Sequence, residues 1–304
     1  MTPFPFTQKD FFAQSQAWRQ ELVFFLQKTL MQQRNACEEA RLVDAMDYAV
    51  MGGGKRVRGL LAISTGLMLG ADKKAALTIA AALEFMHAYS LIHDDLPSMD
   101  DADLRRGKAS LHKAYDEATA ILAGDALQSL SFEVLASCAS AHCGIMVQYF
   151  AQAAGGKGMC GGQMLDLMAS EQRSDFTATK QMQAKKTGAL IEASLLLPAL
   201  FCGLDQKGKH SLKTYGAALG LLFQITDDIL DATTSAEILG KPVGSDIKAG
   251  KATFITHLGL EGAKAEAVRL ETEAIMALKT LDKVNSYELA YLLHMACHIR
   301  MREH

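Results

Sequence analysis

Proline is scarce in this chain, with 5 in 304 residues. Because proline removes a backbone donor and breaks helix interiors, its scarcity leaves room for long helices. Cysteine is sparse too. The 6 cysteines form no CxxC pair and no zinc-ligand spacing, which argues against a structural zinc site and for reduced thiols in a cytoplasmic protein. A charge excess of one sign is also missing: the formal net charge is −3, so no general nucleic-acid surface is expected and any anion site must be local. The opening residues MTPFPFTQKDFF lack a basic segment followed by an apolar run, so no secretory leader is expected from them. The apolar stretch 75–92 is long enough to span a membrane, but Glu84, His87 and Ser90 interrupt it. It reads as a buried core helix, and no membrane insertion is expected.

What is present is helical. Apolar residues make up 49% and charged residues 21% of the chain, the balance of a soluble globular protein with a full core. Helical periodicity runs through 9–32, 35–50, 56–69, 74–95, 112–138, 142–154, 177–202, 209–231, 251–281 and 286–300. Glycines punctuate it at 52–54, 155–162, 203, 240–250 and 259. No alternating strand pattern, internal repeat, linker or low-complexity tract is visible, so one all-α domain is expected over 1–304.

Two predicted helices, 75–95 and 212–231, are apolar almost all round and belong in the interior of a bundle. Both end in aspartates. The first cluster is Asp94-Asp95, then Asp100, Asp101 and Asp103; the second is Asp227-Asp228 and Asp231, with Gln224 one turn earlier. Asp227 and Asp231 share a helix face, where like charges repel. Negative charge at a helix C-terminus also opposes the macrodipole. The same two rules are broken at two places, as at functional sites. A cation resolves the conflict, and all-oxygen ligands favour Mg²⁺ or Mn²⁺. Asp94 and Asp100 are off-face on a regular helix, so a bend at Pro97 is needed to bring them together.

Cations are placed nearby. Gly52-Gly53-Gly54 precedes Lys55, Arg56 and Arg58 at the start of an apolar helix, where cations are unfavourable unless an anion sits among them. Arg105 and Arg106 follow the first acidic cluster and suit phosphate, which arginine binds bidentately. His87 lies two turns before Asp94 on the same face. Lys186 and Thr187 interrupt a helical pattern, and Lys241, Lys248 and Lys251 flank a glycine-containing loop able to act as a lid.

These residues resemble the short-chain trans-prenyl diphosphate synthases, the bacterial and plastid-type farnesyl and geranylgeranyl diphosphate synthases. The matching motifs are Gly53-Gly54-Lys55-Arg56-Val57-Arg58, Asp94-Asp95 with Asp100, Arg105-Arg106-Gly107, Gly161-Gly162-Gln163-Met164-Leu165-Asp166, Lys186-Thr187-Gly188, and 223–231, in the family's order. The resemblance covers roughly 35–260. It implies an antiparallel helical bundle of the isoprenoid synthase type around a deep central cavity, and a homodimer. It implies that Lys55, Arg58, His87 and Arg106 hold the diphosphate of isopentenyl diphosphate. Arg105, Lys186, Thr187, Gln224, Lys241 and Lys251 would meet the allylic substrate. Asp94, Asp100 and Asp227 would be the principal ligands of about three Mg²⁺ ions, with Asp95, Asp228 and Asp231 close by. Gly59 departs from the family's proline, Met182-Gln183-Ala184 from an Ile-His pair, and Phe254 from a tyrosine.

The implied reaction ionises the allylic diphosphate, condenses the cation with an alkene and eliminates a proton. Product length should depend on the cavity floor below Asp94. Ser90 lies one turn down, and Tyr89 about 7–8 Å down and more to the side. An aromatic at Tyr89 goes with a C15 product in the family, so farnesyl diphosphate is expected. Geranylgeranyl diphosphate synthase is the near alternative. A class I cyclase lacks a second aspartate cluster of this kind, a His-Asp phosphohydrolase needs further histidines, and a non-catalytic partner-binding paralogue would not need both clusters intact.

Overall fold

A computed structural model of the chain describes residues 6–171, 175–233 and 253–302. Helix α1 (Gln8–Ala36) starts on a capping box between Thr7 and Asp10 and buries Phe11, Trp18, Leu22, Leu26 and Leu30 along one face. Helix α2 (Ala40–Met51) leads through the glycine loop into α3 (Val57–Met68), and Asp72 caps α4 (Lys73–Asp94). Helix α4 is the centre of the bundle. Its most apolar window is 78% buried inside the protein, so its length and composition serve the core. It packs between α3 and α6.

The chain then makes a short antiparallel hairpin that the periodicity did not reveal, β1 (Leu104–Arg105) and β2 (Lys108–Ala109). Its turn residues are Arg106 at φ 53° and Gly107 at φ 77°, the two positive angles that a tight hairpin requires. The predicted helix 112–138 is split. A one-turn α5 (Leu111–Ala114) ends at Tyr115, and Asp116 caps a separate α6 (Glu117–Ala136) by accepting from the Thr119 N–H at 2.7 Å.

After α7 (Cys143–Ala154) comes α8 (Met159–Glu171), a helix hidden from periodicity by the glycines at 155–162. Those glycines allow backbones to touch. A Cβ on Gly162 would stand 2.1 Å from the Lys186 amide nitrogen. The expected helix 177–202 is α9 (Phe176–Gln183), one π-helical turn (Ala184–Gly188) and α10 (Ala189–Phe201). The predicted interruption at Lys185–Gly188 is therefore a local widening of a continuous helix, of a kind found at functional sites. Helix α11 (Gln206–Thr233) packs on α10 and on α12 (Phe254–Leu278). Gly259, at φ 69°, kinks α12, and α13 (Ser286–Met301) closes the bundle against α3. One continuous apolar cluster runs from Phe11 to Ile299. All six cysteines are free thiols.

Candidate active site

The ends of α4, α8 and the π-turn surround a cavity of about 560 Å³. Asp94, Lys186 and Thr187 contribute polar groups to its wall; Leu91, Leu96, Met99, Met159 and Leu167 make much of the rest apolar. Tyr89, Ser90, His87 and Arg58 line it too.

The bend predicted at Pro97 is present. The Asp100 N–H donates to the Asp94 carbonyl at 2.9 Å, and the Asp101 N–H to Leu96 O at 3.1 Å, so the chain folds back over the helix end. The three nearest acids then have different surroundings. Asp95 is only 2% exposed, and both its oxygens accept from Arg105 Nε, at 3.0 and 3.1 Å. Arg105, expected at the allylic diphosphate, is thus ion-paired to Asp95. Asp94 and Asp100 accept no hydrogen bond from a described side chain. The Asp94 carboxyl is pushed up to about 6, chiefly by burial; Lys186 opposes the rise and Asp100 adds to it. A carboxylate pair offering only oxygen donors fits a hard divalent cation. Among the described residues no three acidic, His or Cys side chains converge on one point. The protein therefore offers part of a coordination shell, which phosphate oxygens would complete, as is usual for Mg²⁺.

The glycine loop sorts its cations. Arg56 takes a left-handed conformation at φ 55° and turns inward, where its Nη1 meets Glu84 at 3.1 Å with both side chains almost fully buried. The expectation of three cations facing an anion is corrected to two, because Arg56 is part of the core. Glu84 also accepts from the Gly59 N–H at 2.9 Å. Proline at 59 would lack that donor, and a Cβ there would stand 2.3 Å from Leu22. Arg58 points the other way. Its Nη1 donates to His87 Nε2 at 3.3 Å, which places the imidazole proton on Nδ1. Burial first, then Arg58 and Arg106, hold the His87 imidazolium well below its usual range, so His87 is neutral. Arg106 bonds the Gly53 carbonyl and lies over Gly54, whose absent side chain makes the room. Lys55 is pushed down by burial and by Arg302. Arg58, His87 and Arg106 make a cationic cluster that reaches the cavity wall, Arg58 Nε is buried there without a hydrogen-bond partner, and Lys55 is placed instead toward Arg302 and Asp227.

At the opposite wall Lys186 Nζ donates to Asp166 at 2.6 Å, which ties the π-turn to α8. Thr187 donates to Gln224 Oε1 at 3.3 Å, and Gln224 Nε2 to Asp228 Oδ1 at 3.3 Å. Asp228 in turn accepts the Phe254 N–H at 2.7 Å, at the N-terminus of α12. Asp228, expected among the metal ligands, is buried and engaged with Gln224 and the start of α12. Asp231 is also buried. Asp227 does not line the cavity; it is ion-paired with Arg302 at 2.5 Å, and Arg302 lies 4.1 Å from the centre of the Phe223 ring. Lys241 and Lys251 lie outside the described residues.

Asp166 and Arg302 were not predicted as site residues. Asp166 had a signal, as the last residue of the Gly161–Asp166 motif. Arg302 had none, since it reaches Asp227 only through the docking of α13.

Comparison with known proteins decides the family: a polyprenyl synthetase model matches residues 39–291. The chain belongs to the polyprenyl synthetase family. It is 46% identical over 248 residues to a farnesyl diphosphate synthase of Haemophilus influenzae, covering 80% of this chain and 84% of that one. It is 41% identical to a chloroplastic geranylgeranyl pyrophosphate synthase of Arabidopsis thaliana, covering 84% of this chain and 73% of the other. In structure it is similar to a geranyltransferase of Helicobacter pylori complexed with magnesium and isoprenyl diphosphate. That match has a TM-score of 0.78 and 32% identity, and covers 91% and 97% of the two chains. The all-α isoprenoid synthase fold of the chain is that of this polyprenyl synthetase.

The family's glycines give a direct test of the packing at Lys186. Gly162→Ala places its Cβ against the Lys186 backbone. It is expected to cost about 1–3 kcal/mol of stability and to reduce activity by displacing Lys186 from the cavity. A denaturation midpoint and turnover equal to wild type would show that the α8–π-turn contact is looser than described.

Proposed function

We propose that the chain is a prenyltransferase that joins isopentenyl diphosphate to an allylic diphosphate, dimethylallyl or geranyl, with farnesyl diphosphate as product. The reading is carried by one juxtaposition: a largely apolar cavity whose wall carries Asp94, with Asp100 next to it, and the cationic Arg58 beside His87. Two diphosphates and one growing hydrocarbon tail fit this arrangement. Lys55, Arg58, His87 and Arg106 bind the diphosphate of isopentenyl diphosphate, with neutral His87 donating and Arg58 offering its unpartnered Nε. Lys186 and Thr187 hold the allylic diphosphate, and Gln224, steadied by Asp228, orients Thr187.

Asp94 and Asp100 would hold Mg²⁺, about three ions with substrate and with Mn²⁺ able to substitute, and Asp227 on α11 would join them on release from Arg302. Bound there, Mg²⁺ supplies Lewis-acid stabilisation of the leaving diphosphate. The fixed cations of the pocket place charge where the transition state needs it. The apolar wall excludes water from the reacting carbon. No protein base is required, because the departing diphosphate can accept the proton.

The domain and assembly follow the same reading. One domain carries both substrate sites. A homodimer would cover the apolar residues that the single chain leaves exposed on α6 and α8, Leu122 at 58% and Met168 at 55% among them.

The experiment is to incubate the protein with Mg²⁺, isopentenyl diphosphate and geranyl diphosphate and to size the dephosphorylated alcohol. Farnesol is expected. Tyr89→Ala opens the cavity wall and is expected to move the main product to geranylgeraniol. Geranylgeraniol from the wild type would retain the prenyltransferase and remove Tyr89 as its floor.

A further inference from the structure

The ring of Tyr89 is held by His93 on its own helix, by Cys160 on α8 and by Gln128 on α6. Its hydroxyl lies 3.6 Å from the Cys160 sulfur on α8. Its edge meets His93, with ring centroids 5.0 Å apart and planes at 76°. His93 is anchored on α6, where its Nε2 is 3.1 Å from the Ile121 carbonyl oxygen. It is seated where Gly124 has no side chain, since a Cβ there would be 2.2 Å from Nε2. Tyr89, His93 and Cys160 all line the cavity, and Cys160 is the exposed one of the six cysteines.

Position along α4 alone does not decide where the Tyr89 hydroxyl stands. Two side-chain torsions separate it from the backbone, and the cavity is open in front of it. His93 restrains the ring from its own helix. The hydroxyl end is held from α8 by Cys160 and from α6 by Gln128, and of the two Cys160 lies on the cavity wall. A thiol suits that task, because it is small, polarizable and able to donate or accept weakly.

We propose that Cys160 is a positioning residue for product length: it holds the Tyr89 hydroxyl from α8 and so sets the depth at which the growing chain stops. The inference rests on the prenyltransferase reading above. It makes the floor a joint property of two helices, so a side chain changed on α8 alters the product without any change at Tyr89. It also makes Cys160 a thiol that the hydrocarbon tail of a bound product shields.

The test compares wild type with Cys160→Ala, Cys160→Ser and Cys160→Phe, using Mg²⁺, isopentenyl diphosphate and either dimethylallyl or geranyl diphosphate. Cys160→Ala is expected to raise the C20:C15 ratio about fivefold, equivalent to one hydrogen bond of about 1 kcal/mol. Cys160→Ser, which keeps a hydroxyl partner for the phenol, is expected to stay near wild type. Cys160→Phe fills the floor and is expected to accumulate C10 product from dimethylallyl diphosphate. A second readout needs no turnover. Iodoacetamide alkylates the wild-type thiol, forming an S–C bond and releasing iodide and a proton. Farnesyl diphosphate with Mg²⁺ is expected to slow that labelling of Cys160 about fivefold or more, in line with burial of the thiol beneath a bound chain. A wild type that makes no prenyl product would sink the functional reading itself. A wild type that makes C15, with Ala, Ser and Phe variants giving the same ratio and labelling unaffected by product, would overturn the role of Cys160 alone. Equal shifts from Ala and Ser would overturn the hydroxyl contact as its basis.

Discussion

Asp94→Asn is expected to lower kcat by at least about 10²–10³-fold, the range seen when one preset electrostatic contact to a developing charge is lost. The replacement is isosteric, and Asp94 accepts no hydrogen bond from a described side chain, so no structural contact is removed. The metal-free variant is accordingly expected to unfold at a denaturant concentration no lower than wild type. Raising Mg²⁺ should recover part of the activity if the defect lies in cation binding. Steady-state kinetics over a Mg²⁺ series, with a urea titration beside it, checks both halves. Full activity in the Asn variant at limiting Mg²⁺ would remove Asp94 from the site.

Glu84→Ala is expected to destabilise the protein by about 3–5 kcal/mol, the usual cost of removing one partner from a buried ion pair. The variant leaves the Arg56 cation without its counter-charge, with only the Val50 carbonyl as acceptor, and the Gly59 N–H without its acceptor. Arg58 is two residues further on, so the cationic pocket should be lost with the start of α3. Glu84→Gln keeps a carbonyl acceptor and removes the charge, and should fall between. Urea unfolding reads the difference. A loss below about 1 kcal/mol for Glu84→Ala would mean that Arg56 finds another partner or reaches water.

The two aspartate clusters and the cations after the glycine loop stood out because each broke a local rule at the end or start of an apolar helix, and His87 stood out only by its alignment with Asp94. The bundle was legible because helical periodicity is strong and proline scarce. What could not be read has definite causes. Arg56 and Arg58 look alike in the sequence, yet a left-handed backbone at Arg56 turns one into the core and leaves the other at the cavity. Helix α8 was masked because its glycines, which normally mark loops, serve here as close contacts between backbones. Asp228 stands beside Asp227 in sequence, but adjacent helix residues point about 100° apart; one meets Arg302 and the other caps α12. Arg302 is 75 residues from Asp227, and only the docking of α13 brings them together. Such pairings depend on tertiary packing and leave no periodic trace.

The central claim is that the cation formed from the allylic substrate is captured by a second diphosphate-bearing substrate. It is tested most directly by following release of inorganic diphosphate from geranyl diphosphate with each component omitted in turn. Release that requires both Mg²⁺ and isopentenyl diphosphate, and that matches farnesyl diphosphate formed mole for mole, is the predicted result. Release at the same rate without isopentenyl diphosphate would contradict it and point to hydrolysis or cyclisation in the same cavity.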